Sequence, residues 1–356
     1  IPQGMAYALV AGLPISYGLI GSAVAAIMGG IFGGGRFITL GPTNATAVLL
    51  FGVFAAIGLI NSSGMGSSDA LSLLPWILIV SSFFLILASL LRISFMIQFI
   101  SRTVITAYVT AASCLIIANQ CKHLLGLRND AGEIPTSFFE IILQTFSSIQ
   151  FFSLSTLSLS LITAILFLLL QSKFPSLPNV AITLILSSII AIGLENLGWE
   201  ITKLESFDSA ASLLTFPDHS LFLTHWESIL SAAFAVSLLC LLEGLSIGKS
   251  LAARAGSRIE SNQETMSIGF GNLACAIFSG MPASGSLTRS TLNVQSGART
   301  SVANLVAGGL IILGSMLLGN LIAFVPLCSL ATLVVFIGAS LIKLRQIKTV
   351  SRATGS

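Results

Sequence analysis

The chain carries little charge for its length. Only 8% of its 356 residues are Asp, Glu, Lys or Arg, whereas a soluble domain contains about 25%, so a water-soluble globular protein is excluded. Sixteen basic residues over this length cannot form the continuous basic stripe of a nucleic-acid-binding protein. Mean hydropathy is +0.98 and 54% of the residues are hydrophobic. The composition therefore indicates a protein that crosses a membrane many times.

Cysteine and histidine are too few, and too unfavourably spaced, for metal or redox chemistry. The five cysteines show neither a CxxC pattern nor metal-ligand spacing, which argues against a zinc site and a disulfide framework. The three histidines lie in polar stretches between apolar runs, so no histidine within a span could activate a serine nucleophile. We predict no metal, no cofactor and no enzymatic activity.

Long continuous apolar runs predict membrane-spanning helices rather than the alternating strands of a barrel. Together they give about twelve crossings, some of them incomplete. The first run is too short to cross a bilayer, so we expect the chain to begin within its first span. Runs of near-spanning length occur at 17–35, 72–91, 98–118, 153–171, 178–195, 226–247, 300–318 and 321–342, and shorter ones at 2–12, 44–60, 264–279 and 285–295.

The basic residues predict the orientation of these spans. If the first span runs outward, eleven Lys and Arg residues fall in inner loops and only three in outer loops. Positively charged loops stay inside, so this bias supports both the orientation and the number of spans.

An internal repeat appears when the sequence is shifted by 240 residues. Gln3–Ala6 then falls on Glu243–Ser246, and Gly41–Thr46 falls on Met281–Ser286. The first span of one half runs outward and its counterpart inward, so the halves are inverted. Inverted repeats with short, proline-interrupted segments at matching places are typical of transporters with a site at the membrane midplane. The predicted halves are residues 1–225 and 226–356.

Each half contains a proline at membrane depth. Pro42 and Pro282 lack an N–H and disfavour helix before them, so Phe37–Pro42 and Ile277–Pro282 are predicted to be extended, with helices starting just after each proline. Two helix N-termini, each carrying about +0.5 charge, would then face one another and bind an anion. The capping or hydroxyl residues at these helix starts are Thr43, Asn44, Ser284, Ser286 and Thr288.

Two charged residues bear on this predicted site: Arg289 lies on the second half-helix and Glu243 lies deep in the run at 226–247. A charge at the bilayer centre costs about 2.5–3.5 kcal/mol on insertion scales, so each needs a partner or a cavity. In one interpretation the two simply pair and hold their helices together. In the other they also set the charge of the site. Two dipoles and Arg289 then give about +2, which an ionised Glu243 reduces to about +1.

With these residues, the chain resembles the SulP family of inorganic-anion transporters, the sulfate permeases and their relatives. The resemblance covers nearly the whole chain. The matching stretches are Ile1–Ala8, Gly41–Ala45, Glu243, Asn262–Glu264, Gly271–Leu273, Pro282, Thr288–Ser290 and Ser296–Thr300.

The resemblance implies an all-α, seven-plus-seven inverted-repeat fold with half-helices in spans 3 and 10. Spans 1–4 and 8–11 would form a core domain, and spans 5–7 and 12 would belong to a gate domain. We expect about twelve of fourteen spans in this chain, without spans 13 and 14 and without the STAS domain of the family. The resemblance also implies a homodimer in the cell membrane, plasma or inner.

The resemblance also assigns candidate site residues. One departure concerns coupling: sodium-coupled members have a hydroxyl residue one turn after the eighth-span acid, where this chain has Ile247. Proton symport and anion exchange therefore become the candidate mechanisms. The predicted anion-binding residues are Gln3, Tyr7, Thr43, Asn44, Gly285, Ser286, Thr288 and Arg289, and the predicted charge-balancing residue is Glu243.

The leading hypothesis is a secondary transporter of small inorganic anions, with sulfate ahead of bicarbonate and chloride. An anion channel of the same family is an alternative, which saturable rather than ohmic flux would exclude. A nucleobase permease of the same fold is less favoured, because such proteins hold neutral bases with acidic groups, and Arg289 with its neighbouring hydroxyls suits an anion.

Overall fold

The computed structural model describes residues 1–60, 65–93, 102–127, 138–175, 177, 179–204 and 219–342. This part of the chain is almost entirely helical, with two very short strands, β1 (Leu40–Gly41) and β2 (Ser284–Gly285). The helices are α1 (Pro2–Val10), α2 (Ile15–Phe32), α3 (Asn44–Ala56), α4 (Ser68–Leu90), α5 (Arg102–Leu125), α6 (Phe138–Ser147), α7 (Leu154–Lys173), α8 (Asn179–Glu195), α9 (His219–Arg254), α10 (Ser261–Ile277), α11 (Leu287–Gln295), α12 (Val302–Ile322) and α13 (Leu327–Leu341).

Twelve of these helices follow the twelve predicted apolar runs in order; α6 is the additional one. Helices α2, α4 and α7 and the Phe222–Arg254 part of α9 are long and apolar enough to cross a membrane. Helix α9 is longer than its predicted run and has a kink at His225, where φ is −118° and ψ is 24°. Residues 61–64, 94–101, 128–137, 176, 178, 205–218 and 343–356 lie outside the described residues.

The helices group into two compact units. The first contains α1–α4, α9–α11 and α12 as far as Leu317, and the second contains α5–α8 and α13. Both units combine elements from the two halves of the sequence. This is the grouping that the resemblance implies for core and gate, because α5, α7, α8 and α13 correspond to spans 5–7 and 12. The repeat boundary at 225/226 stays a prediction.

The first unit is held by close helix crossings. A Cβ atom added to Gly4 of α1 would lie 2.5 Å from Ser22 Oγ and 2.7 Å from the Gly18 carbonyl oxygen of α2. Helix α10 packs against α2, α4 and α9. Small residues allow such helices to approach closely inside a membrane, where hydrophobic burial does not drive helix association.

The second unit packs α5 against α13, and α7 against α8 and α13. Buried hydroxyl residues contribute to this packing, and Thr163 of α7 hydrogen-bonds Ser329 of α13, with 2.9 Å between the two oxygens. Both side chains are fully buried. The hydrogen bond satisfies two polar groups that would otherwise be costly in an apolar surrounding.

Candidate functional site

The site is built around two extended segments that meet inside the first unit. Strands β1 and β2 pair antiparallel, with Leu40 opposite Gly285 and Gly41 opposite Ser284. The Ser286 N–H continues the pairing by donating to the Thr39 carbonyl at 3.1 Å. Extended backbone at this depth is tolerated because its polar groups are satisfied by protein.

The two half-helices leave these segments differently. Helix α3 starts at Asn44, directly after its N-cap Thr43 and close behind Pro42, as predicted. Helix α11 starts only at Leu287, five residues after Pro282, so the prediction of a helix start just after that proline is wrong. The physical reason is the strand pairing, because Ser284 and Gly285 stay extended to meet β1.

The N-terminus of α3 is closed by a capping box. The Thr43 side chain accepts from the Thr46 N–H, and the Thr46 hydroxyl accepts from the Thr43 N–H at 3.1 Å. Asn44, the first residue of the helix, is buried. The N-terminal end of a helix carries a partial positive charge, which suits a negative ligand.

The N-terminus of α11 begins at Ser286, whose side chain makes no capping hydrogen bond. Ser286 is buried and Thr288, in the first turn, is exposed. A Cβ atom on Gly285 would lie 2.8 Å from the Cα atom of Gly244 in α9, so glycine is required at this contact. The end of α11 is therefore an uncapped helix N-terminus facing the extended segments, which suits a negative ligand.

One face of α9 lies against both extended segments. Ser284 Oγ donates to the Cys240 carbonyl oxygen at 2.9 Å, and Thr43 Oγ1 donates to Glu243 Oε2 at 2.7 Å. A Cβ atom on Gly248 would lie 2.6 Å from Ile38 Cδ1. At about 100° per residue, Cys240, Glu243 and Gly248 fall within an arc of about 140°, so the contacts come from one side of α9.

Two asparagines that our sequence analysis did not select fix the extended segments. The Asn272 amide of α10 donates to the Ala283 carbonyl at 2.8 Å and accepts from the Ala283 N–H at 3.0 Å. The Asn304 amide of α12 donates to the Ile38 carbonyl at 2.8 Å and accepts from Thr39 Oγ1 at 2.9 Å. The sequence signal that could have identified them is an asparagine within an apolar span, because such a polar side chain needs hydrogen-bond partners.

Arg289 projects from the first turn of α11 to the opposite segment, where its guanidinium donates to the Pro42 carbonyl oxygen. A Cβ atom on Gly41 would lie 2.9 Å from Arg289 Cζ, and Gly41 has a φ of +154°. Both facts require glycine beside the guanidinium. The Nε atom of Arg289 is buried and, among the described residues, has no hydrogen-bond partner. Arg289 therefore retains a donor for a ligand.

Glu243 and Arg289 share the site without a direct ion pair. In the part of the chain that the structure describes, no Glu243 oxygen lies within 4.0 Å of an Arg289 nitrogen. The Glu243 carboxylate is held instead by Thr43. The interpretation in which these two charges simply pair is therefore not supported.

Helix α1 contributes the aromatic side of the site. Tyr7 is buried and lies within electrostatic reach of both Arg289 and Glu243. Gln3 is half-buried one turn earlier on the same helix. The structure thus brings Tyr7, Thr43, Glu243 and Arg289 together. It places Gln3, Asn44, Gly285, Ser286 and Thr288 on the elements that surround them.

Comparisons with known proteins agree with this architecture. The sequence model of the Sulfate permease family matches residues 1–355. The bovine sodium-independent sulfate anion transporter is 28% identical, covering 99% of this chain and 61% of the relative. The putative sulfate transporter YvdB of Bacillus subtilis is 25% identical, covering 99% of this chain and 64% of the relative. This chain thus spans less than two thirds of these relatives.

Solved structures show the same fold. The transmembrane domain of the cyanobacterial bicarbonate transporter BicA aligns with a TM-score of 0.86 at 20% identity, covering 98% of this chain and 86% of that one. SLC26A9 aligns with a TM-score of 0.84 at 19% identity, covering 99% of this chain and 57% of that one. The predicted transporter fold is confirmed, and the match along the whole sequence shows that this chain belongs to the sulfate permease family.

Proposed function

We propose that this protein is a secondary active transporter of small inorganic anions, with sulfate as its substrate. The observation that carries the proposal is the position of Arg289, which reaches from the start of α11 to the Pro42 carbonyl before α3. Its guanidinium thus lies at both half-helix N-termini, the two positively polarised ends of the site. An anion placed there meets a fixed charge and two positively polarised helix ends at once.

The charge of the site supports a choice among anions. Two helix ends and Arg289 give about +2, which suits a divalent anion when Glu243 is protonated and a monovalent anion when it is ionised. Transport of sulfate would therefore be accompanied by a proton on Glu243. This favours proton symport or anion exchange with alternating access.

Ile247 argues against sodium coupling. Its side chain packs with Phe37 and Leu251 in an apolar cluster one turn after Glu243. Sodium requires several oxygen ligands, and an isoleucine supplies none. The bovine relative is named a sodium-independent sulfate anion transporter, and we extend sodium independence to this chain.

A second candidate is transport of bicarbonate or chloride. The specific observation is that Glu243 accepts a hydrogen bond from the Thr43 hydroxyl, a contact that an ionised carboxylate can make. The site would then carry about +1 and suit a monovalent anion. BicA, which shares the fold, is a bicarbonate transporter by its title.

The test is uptake of labelled sulfate into proteoliposomes with and without an inward proton gradient. Arg289→Ala and Glu243→Gln are compared with Arg299→Ala and Glu227→Gln, which change exposed residues of the same type. We expect gradient-stimulated, saturable uptake in wild type and both controls. Uptake is expected to be lost in Arg289→Ala and to lose its dependence on the gradient in Glu243→Gln.

The other outcomes separate the alternatives. Chloride or bicarbonate flux that needs Arg289, without sulfate uptake, would retain the site and change the substrate. Ohmic flux would indicate a channel. Flux unaffected by Arg289→Ala would show that the half-helix site is wrong.

For membrane location and oligomeric state, we propose that the protein lies in the plasma or inner membrane as a homodimer, as the family resemblance implies. Chemical crosslinking in the membrane would test the dimer independently of transport.

A further inference from the structure

Helix α6 corresponds to none of the predicted apolar runs, and it is too short to cross a membrane. Its ten residues rise about 15 Å, whereas the hydrocarbon core is about 30 Å thick. It connects the end of α5 at Leu125 to the start of α7 at Leu154. The helix is therefore at the membrane side shared by these two ends, which the positive-inside orientation makes the outer side.

Three large apolar side chains of α6 are exposed. Phe139, Leu143 and Phe146 are 75%, 68% and 67% exposed. At about 100° per residue they fall within an arc of about 60°. Such a surface is costly in water and needs an apolar partner.

The remaining positions of α6 divide into two other faces. Ile141 is 5% exposed, and Thr145, one turn later, turns its hydroxyl back to the Ile141 carbonyl at 2.7 Å. This face packs on α5. The exposed polar residues Glu140 and Ser147 lie on the third face. One side thus contacts protein, one carries polar groups and one is apolar, an arrangement typical of a helix at a membrane surface.

The apolar surface continues beyond the helix towards the lipid-facing spans. A single 3₁₀ turn, Ile149–Phe151, follows α6. Phe151 and Phe152 are 56% and 47% exposed, and Leu154 at the start of α7 is 71% exposed. The apolar face of α6 is therefore continuous in sequence with the exposed apolar surface of a membrane-spanning helix.

We propose that α6 lies in the outer membrane surface with Phe139, Leu143 and Phe146 in the lipid acyl chains and Glu140 and Ser147 in the headgroup region. The helix contains no Lys or Arg. Apolar contact with zwitterionic phospholipid, rather than attraction to anionic headgroups, therefore holds it there. The helix anchors the second unit to the outer leaflet.

Tryptophan fluorescence in phosphatidylcholine vesicles tests this placement. The native Trp76, Trp199 and Trp226 are replaced by Phe, and single tryptophans are introduced by Phe139→Trp or Phe146→Trp. The matched control is Ser147→Trp, on the neighbouring polar face of the same helix. We expect 6,7-dibromo phosphatidylcholine to reduce the emission of the first two variants at least twofold, with little effect of aqueous iodide. The control should show the reverse.

Two results would overturn the proposal. Quenching of Phe146→Trp by iodide alone would place the apolar face in water. Quenching by neither agent would show that protein, such as a second copy of the chain, covers it. If the chain without native tryptophan fails to fold, the same substitutions are made with the native residues kept. The difference from wild-type emission is then measured.

Discussion

At the scale of single residues, both backbone conformation and neighbouring atoms restrict Gly41. Its backbone has a φ of +154°, a conformation that costs a residue other than glycine about 1–3 kcal/mol. An added Cβ atom would also displace the Arg289 guanidinium. We expect Gly41→Ala to lower the thermal midpoint and abolish anion uptake. Gly52→Ala in α3 is the control, since a Cβ there meets nothing within 4 Å. It should be neutral or stabilise by up to about 1 kcal/mol. Equal midpoints in the two variants would contradict this.

Arg289 is a second residue where a conservative change should be harmful. The guanidinium has several donors, so it can hold the Pro42 carbonyl and still face an anion, whereas a lysine ammonium is a single point. Loss of a charged hydrogen bond costs about 1.5–3 kcal/mol. We therefore expect Arg289→Lys to raise the KM for anion uptake about 10- to 100-fold. Arg299→Lys should leave KM unchanged. An unaltered KM in Arg289→Lys would mean that charge alone is needed.

Single residues also show what a sequence can predict. Arg289 and Glu243 stand out because charges are rare in spans. Their partners depend on how α3, α9 and α11 pack together, and no local sequence pattern predicts that packing. The contact of Glu243 with Thr43, 200 positions away, became visible only in the structure.

At the scale of elements, one half-helix start was predictable and the other was not. Proline disfavours helix at the residue before it, and this local tendency placed α3 correctly. The start of α11 depends on the pairing of Ser284 and Gly285 with β1, an interaction between distant segments. Helix α6 was not predicted for a different reason, because Glu140 and Gln144 interrupt its apolar residues and leave no continuous apolar run.

Asn272 of α10 makes the contact between elements that we expect to stabilise the extended segment at β2 most. Its side-chain amide hydrogen-bonds both the N–H and the carbonyl of Ala283, as a neighbouring strand would. Asn272→Ala therefore leaves both of these buried Ala283 groups unpaired. Each costs about 1–3 kcal/mol. Thermal unfolding should show a clearly lowered midpoint, with anion uptake lost as well. Gln263→Ala on the same helix removes one exposed, long hydrogen bond and should change neither. Normal uptake by Asn272→Ala would show that β2 needs no such support.

At the scale of the whole molecule, the two compact units do not coincide with the two halves of the sequence. Each unit takes helices from both halves, so sequence runs alone could not group them. The family resemblance predicted the grouping because it carries tertiary information that hydropathy lacks. All residues predicted for the anion site fall in the first unit.

A whole-molecule consequence is that a transported anion should stabilise the folded protein. A ligand at about 100 times its Kd adds about 2.7 kcal/mol to the free energy of unfolding, which raises the thermal midpoint by several degrees. Sulfate also stabilises proteins by exclusion from their surfaces, an effect that acts on every variant equally. We therefore expect a larger sulfate-induced shift in wild type and Arg299→Ala than in Arg289→Ala. Glu243→Gln, which keeps the site near +2, should enlarge the shift with sulfate and reduce that with chloride. Equal sulfate shifts in wild type and Arg289→Ala would mean that sulfate does not bind at the half-helix ends.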